Sequence, residues 1–330
     1  MKKFMNTAET MVAESTEGFV RAHEEFVAFG IDRKCIRRRH LVPGKVAIIS
    51  GGGAGHEPMH IGFVGRGMLD AACVGHIFTS PTPSQIVSAI EETDTGAGCL
   101  LIVKNYDGDV MNFEMAAEMA AGRHRIEIVL ACDDIETVRA GDGRGRRGVA
   151  GTLITERLLG AAAEQGAPLA ALKAFGDSLS PRIRSMGVAL TGVAVPHTQR
   201  TTFTLGSNEI EMGVGIHGEP GHSREPFANA DTIVRRLSET IVNDIRQTTG
   251  TGLLLVNGLG GTPPAELYLA YKIARDFMVN HGLRIERSLV GAYATSLDMQ
   301  GLSVTLAFLS EEEISLWDSP VATAALRWGC

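Results

Sequence analysis

Three short stretches carry residues able to do chemistry. In "SGGGAGHEPMH" (50–60), small residues lead to His56, Glu57 and His60, which match H-E-x-x-H by letter. That pattern binds zinc only where a well-formed helix sets its two histidines one turn apart and its glutamate acts as base. Here four of the six residues from Ser50 to Gly55 are glycine and Pro58 takes the third motif position, which only a first helical turn tolerates. No metal site is expected; His56 is read as an acid–base residue and His60 as structural. Nucleotide signatures fail as well. G-x-x-x-x-G-K-[ST] is absent, and Pro58 stands where the third glycine of G-x-G-x-x-G belongs. A glycine-rich turn followed by a helix start would still offer backbone N–H groups to an anionic or polyhydroxy group, against the plainer reading of a tight turn.

In "VKNYDGD" (103–109), Lys104 ends an apolar run, with Asp107 and Asp109 in the loop after it. A lysine beside carboxylates can hold one of them ionised, and a partly desolvated carboxylate can act as general base; the alternative is a turn capping a helix from Val110. In "GVGIHGEPGH" (213–222), glycines flank His217, so a ligand can approach it closely and its imidazole could add to an electrophile. His222 reads as an ordinary loop histidine.

The elements that position these stretches alternate. "KVAIIS" (45–50), a weaker run near 71–76, "CLLIVK" (99–104) and "IEIVLA" (126–131) read as buried strands with helices between them, which implies a largely parallel α/β sheet. The loops "GGGAGHEP", "FTSPTP" (78–83) and "NYDGD" then gather at the carboxyl edge, where such sheets bind ligands. Helices follow from 149 to 180. After a boundary near Pro181, a strand-rich stretch (187–221), a helix from about Asn229 to Gln247, "GLLLVNGLGGTP" (252–263), another helix and two late strands suggest a second α/β domain. The expectation is α/β throughout, mainly parallel in residues 1–183 and mixed in 184–330.

Length supports two cores, since 330 residues exceed the ~250–300 at which one core stops growing. A net charge of −7 disfavours a general nucleic-acid surface. Five cysteines without a C-x-x-C pair fit neither a disulfide framework nor a cysteine zinc site. No apolar run approaches the ~18 residues of a membrane span and no leader follows the first lysines, so a cytoplasmic, unanchored protein is expected.

The ordered stretches "GKVAIISGGGAGHEPMHIGFVGRGMLDAACVGHIFTSPTPSQI", "LLIVKNYDGDVMNFEMA", "GRRGVAGT", "EMGVGIHGEPG" and "GAYATSLDM" resemble the substrate-binding subunit of dihydroxyacetone kinases over nearly the whole chain. The resemblance implies a homodimer of two-domain chains that bind dihydroxyacetone covalently. It places a hemiaminal-forming histidine at His217, the base toward the phosphorylated hydroxyl at Asp109, and an assisting histidine at His56. Substrate contacts fall on Gly53, Ala54, Gly55, Lys104 and Ser80. Ala54 stands where the family commonly has serine. No cofactor is expected to bind tightly here: ADP or ATP with Mg belongs on a separate nucleotide-binding L subunit, itself recharged in some systems by a phosphotransferase-system donor. Two relatives keep other roles open, a kinase for a longer ketose such as erythrulose and a non-catalytic dihydroxyacetone-sensing co-activator. For the basic cluster "GRGRRG" (143–148), which overlaps a family motif, contact with the nucleotide-bearing partner is expected; "RKCIRRRH" (33–40) reads as solvated surface.

Overall fold

A computed structural model describes residues 2–135, 145–198, 200–245 and 249–330. The chain divides into two compact units, one made of Met1–Ala131, Leu153–Ser178 and Ser315–Cys330, the other of Cys132–Thr152 and Leu179–Ile314. A single break at 183/184 was the sequence expectation; instead, the chain passes into the second unit at Cys132, returns at Leu153, leaves again at Leu179 and comes back at Ser315.

The first unit is built on a six-stranded sheet. Its strands are β1 (Val27–Phe29), β2 (Ile36–Arg38), β3 (Ala47–Ala54), β4 (Ala71–Ile77), β5 (Cys99–Lys104) and β6 (Ile126–Ala131), in the spatial order β1-β2-β4-β3-β5-β6. Pairing is parallel from β4 through β3 and β5 to β6, and antiparallel at the β1–β2 edge. Both β3 and β5 are buried along their whole length, which is why they read as unbroken apolar or small-residue runs. Helices α1 (Met11–Ala22), α2 (Pro83–Thr93), α3 (Asp107–Ala120), α4 (Gly151–Glu164) and α5 (Leu169–Leu179) accompany this sheet, α4 joining the unit from Leu153. Ile86 and Ile90 of α2 and Phe113 and Ala116 of α3 pack with Ile49, Leu101 and Val103 in one core.

The α2 start is encoded locally. Pro83 occupies a first-turn position and Gln85 reaches back to the Thr82 backbone N–H at 2.9 Å, so the loop of Phe78 to Thr82 ends on a fixed cap.

The second unit holds a mixed sheet of β7 (Ile183–Ala189), β8 (Glu209–Met212), β9 (Ser223–Pro226), β10 (Thr251–Gly258), β11 (Ile285–Gly291) and β12 (Gly301–Leu309), ordered β9-β8-β7-β12-β10-β11. Only β10 and β11 run parallel. Two helices, α6 (Ala230–Asp244) and α7 (Pro264–Asn280), bury Leu237, Ile241, Leu267 and Ala274 with Val256 and Leu306 of the sheet. The helix expected to run to Gln247 ends at Asp244; Gln247 lies outside the described residues. Among the described residues no helix is long and apolar enough to cross a membrane.

In the first unit Arg157 of α4 is wholly buried. Its guanidinium donates to the carbonyls of Gly67 and Trp317 and to the Ser319 hydroxyl, each at 2.9 Å, and to the Ser319 carbonyl, and it lies over the Trp328 ring. This side chain therefore ties the returning C-terminal segment to the unit. Arg157→Met should leave those buried acceptors without a donor and lower unfolding stability by about 3 kcal/mol, read from urea melts.

Candidate functional site

The residues singled out in the sequence fall on both units. Gly53, Ala54, Gly55, His56, Ser80, Lys104 and Asp109 lie in the first. The glycines of "SGGGA" form no turn: β3 runs through them to Ala54, and residues 55–60 are turns with no helix start, so the expected helix dipole is absent. His56 and His60 accordingly do not share a helix face. Glycine is required within β3 because other parts of the chain press on its backbone. A Cβ at Gly52 would meet Lys104 Nζ at 2.4 Å, and one at Gly53 would meet the Thr79 amide nitrogen at 2.5 Å. Gly53 thereby lets the 78–80 loop close over the strand end. The Ala54 carbonyl accepts from Phe78 N at 3.0 Å, and the Phe78 ring lies 5.1 Å from that of buried His56. The Gly55 amide donates to Glu57 at 2.9 Å. Ser80, half-buried, lies beside the start of α3, where the Asn112 side chain donates to the Pro81 carbonyl at 2.9 Å and a Cβ on Gly108 would be 3.7 Å from Ser80 Cβ.

Helix α3 begins at Asp107, three residues earlier than read from sequence, so Asp107 and Asp109 occupy its first turn, where the helix dipole favours negative charge. Asp107 is exposed; Asp109 is buried, 4% exposed. Lys104, at the end of β5, has no solvent exposure. Its ammonium donates to the Gly51 carbonyl and to His60 Nε2, both at 3.0 Å, and lies 3.1 Å from Asp109 Oδ2. The Asp109 contact is an ion pair without hydrogen-bond alignment, and Oδ2 accepts no hydrogen bond among the described residues. A buried carboxylate oxygen is thus held beside a cation with its lone pairs open, which suits a proton acceptor.

His60, expected to be structural, joins this group. Lysine has only donors, so Nε2 must accept from Lys104, and Nδ1 carries the proton. Nδ1 lies 2.5 Å from Glu156 Oε1 and 3.2 Å from the Ser50 hydroxyl, which itself donates to the Ile102 carbonyl at 2.8 Å. Burial, then the Lys104 charge, holds His60 well below the ordinary histidine range, outweighing Asp109. Burial pushes Glu156 up to about 8, against the Ser50 hydrogen bond and the Lys104 charge. Both side chains are neutral near pH 7. Glu156 was missed in the sequence; its signal was a Glu-Arg pair inside the otherwise uncharged run "GTLITERLLGAAA" (151–163).

In the second unit His217 sits half-buried in the loop after β8, since the strand expected through "GVGIHGEPG" stops at Met212. Arg147 staples that loop. Its Nη1 donates to Glu219 Oε1 and its Nη2 to the Gly213 carbonyl, both at 2.9 Å, while Nε donates to Asp134 at 2.7 Å. Two attachment points therefore bracket His217. A Cβ at Gly215 would lie 2.0 Å from Glu219 Oε1, so a side chain there would displace the carboxylate that Arg147 holds. Arg146 donates to Asp244 at 3.0 Å. The two arginines expected to meet a nucleotide-bearing partner thus bind groups of their own chain; Gly143 and Arg144 of the same cluster lie outside the described residues. In the other basic run, Arg38 pairs with Glu164 and Arg37 lies 3.4 Å from Glu92.

A family model described as the Dak1 domain matches residues 17–325. The chain belongs to the Dak1 domain family. Among its relatives, this Dak1 chain is 45% identical over 328 residues to the dihydroxyacetone-binding subunit of PTS-dependent dihydroxyacetone kinase 1 of Listeria innocua, covering 98% of this chain and 100% of that one. It is 36% identical to an L-erythrulose kinase of Pectobacterium atrosepticum, over its full length and 57% of the relative. Two solved structures share the Dak1 fold closely. A dihydroxyacetone kinase operon co-activator superposes with TM-score 0.90 at 33% identity, covering 94% of this chain and 97% of that one. The dihydroxyacetone kinase of C. freundii gives 0.89 at 34%, covering 99% and 60%.

Two outcomes follow from these contacts. Arg147→Met should speed amide hydrogen exchange across 213–219 while leaving β7 and β12 protected; unchanged exchange would show that the loop is held otherwise. The lowered Glu156 acidity also has a sign. A folded chain that keeps this proton to about pH 8, against an ordinary 4.5, is favoured at low pH and loses stability as pH rises through that window. Urea midpoints of the unsubstituted protein should fall from about pH 5 to about pH 8.5 relative to those of Glu156→Gln, which stays neutral throughout.

Proposed function

We propose that this chain is the substrate-binding subunit of a dihydroxyacetone kinase. The observation that carries the reading is the buried Asp109 carboxylate beside Lys104, with its acceptor oxygen open, in a chain matched end to end by a dihydroxyacetone-binding subunit. In this reading His217 adds through a ring nitrogen to the ketose carbonyl, its N–H proton passing to the carbonyl oxygen, and the hemiaminal distinguishes a ketone from glycerol, which has no carbonyl. Asp109, assisted by His56, takes the proton of the terminal hydroxyl as that oxygen bonds to phosphorus and the phosphorus bond to the nucleotide breaks. The phosphoryl group comes from a nucleotide with Mg on a separate L subunit, recharged by a phosphotransferase-system donor. Gly53, Ala54, Gly55 and Ser80 bound the ketose by close approach of backbone and a hydroxyl. Lys104 acts chiefly through Asp109, because two of its N–H bonds go to Gly51 and His60. The working assembly is a homodimer of this chain in the cytoplasm.

A second reading has a specific observation behind it. The co-activator match covers both chains almost completely, so a dihydroxyacetone sensor without transfer is the rival. A kinase for erythrulose is the nearer variant, consistent with the relative of that name. Reconstitution separates these. With an L-type partner, nucleotide and donor, the chain should form dihydroxyacetone phosphate, and Asp109→Asn should retain ketose binding while losing roughly 10²–10⁴-fold in kcat. Ketose binding with no product from the unsubstituted chain would favour the sensor, and full transfer by Asp109→Asn would remove the base assignment.

A further inference from the structure

His60 and Glu156 are buried ionisable side chains of the first unit that the proposed transfer does not use and that reach the Lys104–Asp109 pair. We propose that His60, held by Glu156, is a positioning residue that takes one of the three Lys104 N–H groups and so keeps the ammonium from turning a further N–H onto the Asp109 oxygen that must receive the substrate proton. The inference rests on the reading of Asp109 as base.

The geometry makes a linear chain of contacts. Glu156 of α4 meets His60 Nδ1, His60 Nε2 meets Lys104 of β5, and Lys104 lies against Asp109 of α3. Every ionisable group in this chain is buried: His60 is 3% exposed, Glu156 and Lys104 are 0% and Asp109 is 4%. Water cannot then substitute for a missing acceptor, and a buried N–H left unpaired seeks the nearest one. For Lys104 that acceptor is Asp109 Oδ2, already 3.1 Å away. A further N–H turned there, beside the one that Gly51 and His60 leave over, would occupy another lone pair and stabilise the carboxylate against protonation, weakening it as a base. His60 prevents this by offering a competing acceptor in a fixed place. The place is fixed because Nδ1–H is held by Glu156 and Ser50, which leaves Nε2 in the acceptor tautomer facing the ammonium. Gly52 belongs to the same device, since any side chain there would occupy the ammonium's position.

The role needs one neutral donor and one acceptor about an imidazole width apart, and no change of protonation. Glutamine supplies both; leucine supplies neither. The test is steady-state transfer by the reconstituted kinase with His60→Leu, His60→Gln and Asp109→Asn, together with the ketose adduct on His217 by intact mass. His60→Leu should lower kcat roughly 10²-fold, the cost of misplacing a reacting group by about 1 Å, with KM for the ketose and adduct yield kept. His60→Gln should recover most of that loss. Glu156→Gln, which preserves shape and the acceptor to Nδ1, covers the case in which His60→Leu folds poorly, and should reduce kcat by less than about threefold at pH 7. If glutamine at position 60 is as impaired as leucine, or if leucine costs nothing, the positioning role is overturned. If Asp109→Asn is fully active, the base reading itself falls, whatever the His60 variants do.

Discussion

A lysine ammonium with no contact with solvent organises the candidate residues of the first unit. Burying such a charge costs several kcal/mol unless acceptors and a counter-charge surround it. Lys104 is surrounded by the Gly51 carbonyl, His60 and Asp109. Those needs propagate outward. Gly52 must lack a side chain, β3 must continue flat through its glycines, His60 must hold one tautomer, and α3 must begin early enough to put Asp109 in its first turn. The dipole of α3 and the Lys104 charge both favour a carboxylate at that position. An otherwise costly buried cation is in this way balanced by the buried Asp109 carboxylate.

The second unit uses a cation for a different end. Arg147 spreads its donors over Asp134, Glu219 and a backbone carbonyl, and the planar fork of the guanidinium suits that task better than an ammonium would. Lysine at 104 tunes a neighbour; arginine at 147 immobilises a loop. In the proposed function the His217 imidazole adds to a carbonyl and gains from such immobilisation, because orientation is a large part of the barrier to addition.

Much of this was legible in the sequence. Both sheets were visible as apolar runs, "CLLIVK" and "IEIVLA" matching β5 and β6 residue for residue; β5 is buried along its whole length, while β6, at the sheet edge, is only partly buried. Candidate residues were legible from motif order, and Lys104 with Asp109 from local spacing. The glycine stretch was misread, since residue type suggests a turn while the need for glycine comes from Cys73, Lys104 and Thr79, distant in sequence. The same holds for Glu156: nothing near it in the chain announces a histidine 96 residues away. The division into units was also hidden, as chain returns such as 315–330 depend on single buried contacts like those of Arg157.

The proposed function requires a ketose held covalently by His217. Its most direct test is the native intact mass of the full chain with dihydroxyacetone, erythrulose or glycerol, beside His217→Ala. A mass increase of one ketose, absent with glycerol and absent in His217→Ala, is the result expected, and the ratio of the two ketose adducts would rank them. An adduct that survives His217→Ala, or none with either ketose, would contradict it.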